Sequence, residues 1–262
     1  MKKIAGERME QGKVLGTTLD LTTYEQALER MIQMVERGGA TAVAAANTQL
    51  IAEAAYDATY ATVLAGFEMV VPDGMPLVWA LRLDGHTIAD RVYGPHLMRH
   101  VLANAPARMK HYFFGGTAEC LDRLKLRATE ISPKIRVVGS VSPPFGQWDE
   151  ETEEALIKGI NSSEADFIWV ALGGVRQEMW ISKNKRRFKH GVFLAVGDAF
   201  ALVAGMRSYA PEWMQRMGLT WLFRLMQEPR RLFSRYMRYN TRFVVAFMLE
   251  RLRKLYGDEV RS

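Results

Sequence analysis

A chain of 262 residues with 48% hydrophobic and 24% charged residues has the balance of a soluble globular protein, long enough for one large domain or two small ones. That balance excludes a disordered, collagen-like or disulfide-framework chain, and the single cysteine, Cys120, has no internal partner, which fits a reducing compartment. The net charge of +6 is concentrated: residues 206–262 hold twelve Lys and Arg against five Asp and Glu, whereas the first 205 residues sum to −1.

In chain order, Met1 to Gly12 is polar and charged, with no signal-peptide character. Short apolar runs then alternate with longer amphipathic ones. The runs predict strands at Val14–Gly16, Thr41–Ala46, Met69–Val71, Tyr112–Phe114, Ile135–Gly139, Phe167–Leu172 and Val192–Val196. Between them, Thr22-Thr23-Tyr24-Glu25 reads as a capping box opening a helix that stops at Gly38-Gly39. Thr117 caps a second helix through about Glu130, and Asp149 caps a third. A further helix opens at Gln177-Glu178 and runs to about Lys189. This alternation predicts an α/β domain with a mainly parallel sheet, and near-continuously apolar strands predict that both faces are covered. The longest weakly charged stretch, Gly191 to Met206, has 16 residues and contains Asp198, too short to cross a bilayer. After about Gly205 the alternation ends, and three helical stretches remain, broken near Pro211 and Pro229.

In a parallel sheet, ligands bind beyond the carboxyl ends of the strands. Polar and glycine residues follow six of the predicted strands: Asn47, Asp73-Gly74, Gly115-Gly116-Thr117, the Ser142–Gly146 loop, Gly173-Gly174 and Gly197-Asp198. Together they predict one assembled site; each alone also fits a loop that merely turns the chain. Asp73 is either a general base, kept ionised by the helix N-terminus that follows it, or a turn aspartate. Arg91 is either a bidentate diphosphate ligand or a surface arginine. Arg176, Gln177 and Glu178 offer donors for an anion or a sugar hydroxyl, or simply cap their helix. There is no GxGxxG, P-loop or HExxH motif, and His86, His96, His100, His111 and His190 have no metal-ligand spacing with Cys120. No Asp-x-Asp pair occurs, so the expectation is chemistry with neither metal nor cofactor.

The basic tail interleaves its arginines with Trp213, Trp221, Phe233, Tyr236, Phe243 and Phe247 and with several methionines. Such a mixture favours an anionic membrane surface over nucleic acid. The alternative is a helix packed on the core with arginines on its solvated face.

Several motifs occur in a fixed order. They are Val71-Pro72-Asp73-Gly74-Met75-Pro76-Leu77, Arg91-Val92-Tyr93-Gly94, Phe114-Gly115-Gly116, Ser142-Pro143-Pro144-Phe145 and Gln177-Glu178-Met179-Trp180. The tail adds Ala210-Pro211-Glu212-Trp213, Trp221-Leu222-Phe223-Arg224-Leu225, Glu228-Pro229-Arg230-Arg231-Leu232 and Arg235-Tyr236. Across roughly Val14 to Phe247 the sequence resembles the WecG/TagA/CpsF glycosyltransferases, family 26. The resemblance implies a single Rossmann-like α/β domain of the GT-E type, at 13–205, plus a C-terminal helical appendage at 206–262. It implies inverting, metal-independent transfer of a hexosyl unit from a UDP-sugar to a sugar on a polyprenyl diphosphate. The setting it implies is the cytoplasmic face of a bacterial membrane, in teichoic acid or surface polysaccharide synthesis, and homo-oligomers are compatible with it. By position, Asp73 becomes the general base, Asn47 and Arg91 active-site contacts, Gln177 a donor contact with Glu178 beside it, and Arg224 and Arg231 the appendage ligands of the lipid diphosphate. The chain departs from the family pattern at Ala45 for Thr, His96 for Asp, Ala201 for Asp, Tyr209 for Arg, Thr220 for Glu and Val175 for Pro. Asp198 stands one helical turn before Ala201 and either supplies the carboxylate missing there or caps its helix. A non-catalytic glycolipid-binding protein is the alternative reading.

Overall fold

The structure is a computed structural model and describes residues 9–259; Met1 to Arg8 of the polar N-terminal stretch, Arg261 of the basic tail and the side chain of Tyr256 lie outside that description. At its centre is a six-stranded, all-parallel sheet in the order β4 (Met69–Pro72), β3 (Gly39–Ala46), β8 (His190–Ala195), β7 (Phe167–Ala171), β5 (Lys110–Gly115), β6 (Arg136–Val141). The doubly apolar strand sequences explain it. Successive side chains point to opposite faces, so Phe167, Trp169, Val192 and Leu194 enter one core while Ile168, Val170, Phe193 and Ala195 enter the other. One face is covered by α1 (Tyr24–Arg37), α5 (Gly94–Asn104), α6 (Ala118–Ile131) and the short α9 (Ala199–Val203). The other is covered by α2 (Thr48–Tyr56), α3 (Ala58–Ala65), α4 (Met75–Leu83), α7 (Glu150–Ser163) and α8 (Arg176–Asn184). This is the expected α/β, Rossmann-like arrangement.

Three local expectations change. Val14–Gly16 is not a strand of the sheet: Leu15 and Gly16, at φ 50° and 81°, turn an antiparallel hairpin of β1 (Gln11–Val14) and β2 (Thr17–Asp20). Asp20 ties that hairpin down, accepting from Gln11 Nε2 (2.8 Å) and from the Val70 N–H (2.7 Å). The capping box is displaced by one residue. Thr22 is buried, so Thr23 caps α1 and exchanges bonds with Gln26, whose backbone N–H donates to Thr23 (3.3 Å) and whose Oε1 accepts from the Thr23 N–H (3.1 Å). The Gln177 helix ends at Asn184 and passes into a 3₁₀ turn, Lys185–Arg187, short of Lys189.

The C-terminal segment forms α10 (Glu212–Arg216), α11 (Thr220–Gln227) and α12 (Pro229–Glu259). Besides the prolines, Gly218 makes a break. Its φ is 70°, and a Cβ there would stand 2.7 Å from the Trp79 ring, so neither the backbone nor the space admits a side chain. One side of α12 is built into the core through Leu232 and Phe243, with Tyr239 and Phe247 beside them. Thr48 Oγ1 at the start of α2 donates to Asn240 Oδ1 (3.4 Å), and Arg251 (2.7 Å) and Lys254 (3.1 Å) pair with Asp84 at the end of α4. The opposite side carries Phe233, Met237, Val244, Val245, Met248, Leu249, Leu252 and Leu255, all exposed. These recur at helical spacing, with exposed Arg230, Ser234, Arg238 and Thr241 interleaved among them, so the outward side of α12 is a mixed apolar and basic face on a helix that also packs against the core.

Candidate active site

All six strand ends named from the sequence open into one cavity of about 720 Å³ above the carboxyl edge of the sheet. Asp73 leaves β4. Its backbone N–H continues the sheet to the Ala46 carbonyl (2.8 Å), while Oδ1 accepts from the Gly94 N–H at the start of α5 (2.6 Å). Burial pushes the Asp73 carboxyl above the ordinary carboxylate value, against the pull of Arg91, the Gly94 N–H and Arg224. A carboxylate raised by burial, with one oxygen held by Gly94 and the other unengaged by any donor among the described residues, is suited to take a proton.

Asn47 both caps and lines. Its Oδ1 accepts from the N–H groups of Gln49 (2.9 Å) and Leu50 (3.3 Å) at the head of α2, which turns its amide nitrogen into a donor for the cavity. Gln177 lines the cavity at the head of α8. Its Oε1 accepts from the Gly197 N–H (3.1 Å) and its Nε2 donates to Glu178 (2.8 Å). Glu178 itself is absent from the cavity wall and fully buried behind Gln177, and burial pushes its carboxyl up to about 7. Val175, one residue before α8, holds φ 67° and ψ −51°, a strained conformation for a β-branched side chain, at the point where the chain enters the site.

Arg91 also differs from expectation. It lies behind the wall, stacked 4.3 Å over the Tyr93 ring, with its guanidinium donating to Gln215 Oε1 (3.2 Å) and Thr220 Oγ1 (3.3 Å). It ties the Asp73–Gly94 corner to α10 and α11, and it faces Asp73 electrostatically. Asp198 forms no side-chain cap on α9; instead it pairs with both Arg207 and Arg224 at the cavity edge. Burial works against the Arg224 charge, but Asp198 holds its pKa above the ordinary value. Arg231, half exposed, pairs with Glu228, which also takes Arg207.

Two lining cations, Arg207 and Arg235, were given no role from the sequence, although Arg235 stands in the Arg235-Tyr236 motif. Arg207 lines the cavity within the Asp198 and Glu228 pairs. Arg235 lines it too, and its Nε is buried without a partner. Burial, with Arg224 and Arg231 nearby, lowers the Arg235 pKa below its usual value. The signal was the i, i+4 spacing of Arg231 and Arg235, which puts both on one side of α12. With Arg176, five guanidiniums line the cavity against the carboxylates of Asp73 and Asp198. Such a site concentrates a polyanion. Of the departures from the family pattern, Ala45 and Ala201 line the cavity with methyl groups. His96 stacks on Tyr209, ring centres 5.4 Å apart, away from the wall. Among the described residues no group of three or more His, Cys, Asp or Glu is arranged to hold a metal ion.

Residues 12–256 match the description "Glycosyl transferase WecG/TagA/CpsF family". The chain is 27% identical over 217 residues to an N-acetylglucosaminyldiphosphoundecaprenol N-acetyl-beta-D-mannosaminyltransferase of Bacillus spizizenii, covering 81% of this chain and 80% of that protein. A protein of the same name from Staphylococcus aureus strain MW2 is 26% identical over 231 residues, covering 86% and 89% of the two chains. A match of this extent, over the elements that build the cavity, means that the chain belongs to the WecG/TagA/CpsF family of glycosyltransferases.

Proposed function

We propose that the protein transfers a hexosyl unit, of the N-acetylmannosamine or glucose kind, from a UDP-sugar to a sugar carried on a polyprenyl diphosphate, with inversion and without a metal ion. The observation that carries this is the pairing of one carboxylate raised by burial, Asp73, with the arginines gathered over the same cavity. The printed names of the relatives support the acceptor class, since they describe transfer to N-acetylglucosaminyldiphosphoundecaprenol.

In this reading Asp73 takes the proton from the acceptor hydroxyl as that oxygen bonds to the anomeric carbon. The bond from that carbon to the diphosphate oxygen breaks in the same displacement, which inverts the centre. UDP leaves with the bonding pair. Guanidiniums already fixed around the cavity stabilise the charge growing on it, the part a divalent ion takes in other transferases. Asn47 and Gln177 orient the donor. Arg224, Arg231 and Arg235 meet a diphosphate, and Arg91 acts from behind, holding the corner that carries Asp73. Residues 13–205 form the catalytic unit and 206–262 the unit for membrane and lipid-diphosphate contact.

No helix among the described residues is long and apolar enough to cross a membrane. The mixed apolar and basic face of α12, with Trp213 and Trp221 also exposed, supports peripheral attachment to the inner, anionic leaflet, where such an acceptor is presented. The test is a screen of UDP-sugars against a polyprenyl-diphosphate-linked N-acetylglucosamine acceptor in excess EDTA, read by mass spectrometry, with the product anomer assigned by NMR. Lipid binding without UDP release from any donor would replace this reading with a non-catalytic glycolipid-binding protein. Activity lost in EDTA and restored by Mg²⁺ or Mn²⁺ would overturn metal independence.

A further inference from the structure

Behind the cavity wall lies an ionisable group that the proposed chemistry does not use. Glu178 is fully buried between α8 and α3. One of its oxygens accepts from Gln177 Nε2 (2.8 Å), and the other, Oε2, has the Tyr60 hydroxyl facing it but no hydrogen bond of normal geometry among the described residues. Burying an ionised carboxylate is costly unless it is fully bonded. A neutral side chain at this position would be buried at lower cost, so the cost of the carboxylate points to a use for its charge.

Gln177 supplies that use. A side-chain amide can present either its oxygen or its nitrogen to a neighbour. Here the oxygen faces the Gly197 N–H (3.1 Å), and only that orientation bonds it. An ionised Glu178 can only accept, so it fixes Nε2 on its own side and Oε1 on the Gly197 side. Gly197 turns the chain at φ 53°, and the next residue, Asp198, holds Arg207 and Arg224 at the cavity edge. Geometry therefore runs unbroken from Glu178 through one amide to the cationic wall.

We propose that Glu178 is a positioning residue: as an acceptor-only carboxylate it sets the orientation of the Gln177 amide, and so holds the Gly197–Asp198 turn and its arginines in register for a nucleoside diphosphate. The ligand class rests on the UDP-sugar reading above; the relay itself does not. A protonated Glu178 can donate as well as accept, so the constraint on Gln177 is loosened. Burial pushes this carboxyl up to about 7, so the change falls within the ordinary working range. The groups facing it are Gln177 on its own helix, the Val175 backbone, and Tyr60 of α3. Glu53 of α2 and Tyr239 of α12 face the Tyr60 hydroxyl in turn.

The test is UDP affinity of the full chain and of Glu178→Gln, by calorimetry at pH 8.5 and pH 5.5. The variant carries the same shape as a protonated glutamate. At pH 8.5 it should bind UDP about tenfold more weakly than wild type, and at pH 5.5 the two should be equal. UDP and Asp73 have the same ionisation in both proteins at each pH, so the ratio isolates position 178. Equal affinity at both pH values overturns the proposal, and so does a ratio that does not change with pH, which a merely structural role would give. A second measurement needs neither ligand nor variant. The Gly197 amide resonance of the wild-type protein should titrate near pH 7; a flat resonance overturns the relay. If UDP fails to bind while Gly197 titrates, the donor reading falls and the relay stands.

Discussion

Replacing Glu178 by Gln should make the protein more stable at alkaline pH, by an amount that shrinks as the pH falls. The folded carboxyl titrates at about 7 against an ordinary value of 4.5. A group whose folded pKa is raised contributes most to stability below the unfolded pKa, and the contribution is lost as pH rises through the folded one. At about 1.4 kcal/mol per pKa unit, the wild-type fold carries a penalty of about 3 kcal/mol at pH 8.5 and less than about 1 kcal/mol at pH 5. The glutamine never ionises and escapes both. Its amide brings N–H donors into the buried site, and the Tyr60 hydroxyl that faces it, buried without a hydrogen-bond partner among the described residues, supplies one acceptor. A remaining unsatisfied N–H costs about 1–2 kcal/mol at every pH. The net gain at pH 8.5 is therefore about 1–2 kcal/mol, several degrees in Tm for a chain of this size. The firmer quantity is the difference between the two conditions, because the amide's own cost cancels. In urea denaturation, the stability of the variant relative to wild type should change by about 2–3 kcal/mol between pH 8.5 and pH 5. A relative stability that is the same at both pH values would refute the reasoning, since Glu178 would then be no more costly to ionise in the fold than in the unfolded chain.

Asp73→Asn keeps an acceptor for the Gly94 N–H but cannot take a proton, so kcat should fall by about 10²–10⁴ while UDP affinity is unchanged or improved; a wild-type rate would make Asp73 structural. Because burial raises this carboxyl, wild-type kcat should decline on acidification through a pKa above the ordinary 3.8, and the residual rate of Asp73→Asn should lack that limb. Arg235→Ala removes a cavity arginine whose buried Nε has no partner among the described residues, and should weaken turnover of the lipid-linked acceptor about tenfold or more with little change in Tm; a large fall in Tm with an unchanged rate would mark it as a packing residue. Val245→Glu with Met248→Glu places charge on the outward face of α12, and partitioning to anionic vesicles should fall while UDP affinity holds; partitioning unaffected by the pair would move the membrane contact elsewhere.

The sheet was legible because its strands carry apolar residues on both faces and end in Asn, Asp or Gly, so the runs and their terminators mark both the layers and the cavity rim. The N-terminal hairpin was not, because its strands are four residues each and their pairing depends on Asp20 reaching Val70, a partner fifty residues away. Asp73 and Asn47 were found because each follows directly on a strand end, and Gln177 because it opens the helix after the Gly173-Gly174 turn. Glu178 is the sequence neighbour of Gln177, and Arg91 lies three residues before the Gly94 that holds Asp73, yet both sit behind the wall; a linear pattern does not distinguish the two sides of a corner. The tail posed the opposite difficulty. Arginine is so frequent there that composition announces a polyanion without saying which guanidiniums converge; only the docking of α12 on α2 selects Arg231 and Arg235 together with Arg224 and Arg207.

On the membrane attachment proposed above, the grip of α12 also fixes a geometry of search. At 31 residues the helix is about 46 Å long, comparable to the full thickness of a bilayer, yet its apolar residues form a stripe rather than a girdle. A stripe of that length on a surface acts as a keel. It allows translation in the plane and resists roll, and the cavity, at the Arg231 and Arg235 end, is then held at one height above the headgroups. For an acceptor confined to the leaflet, encounter becomes diffusion in two dimensions with the approach angle already set. Shortening the keel from its Leu255 end should slow capture of the lipid-borne substrate well before it alters the chemistry of transfer.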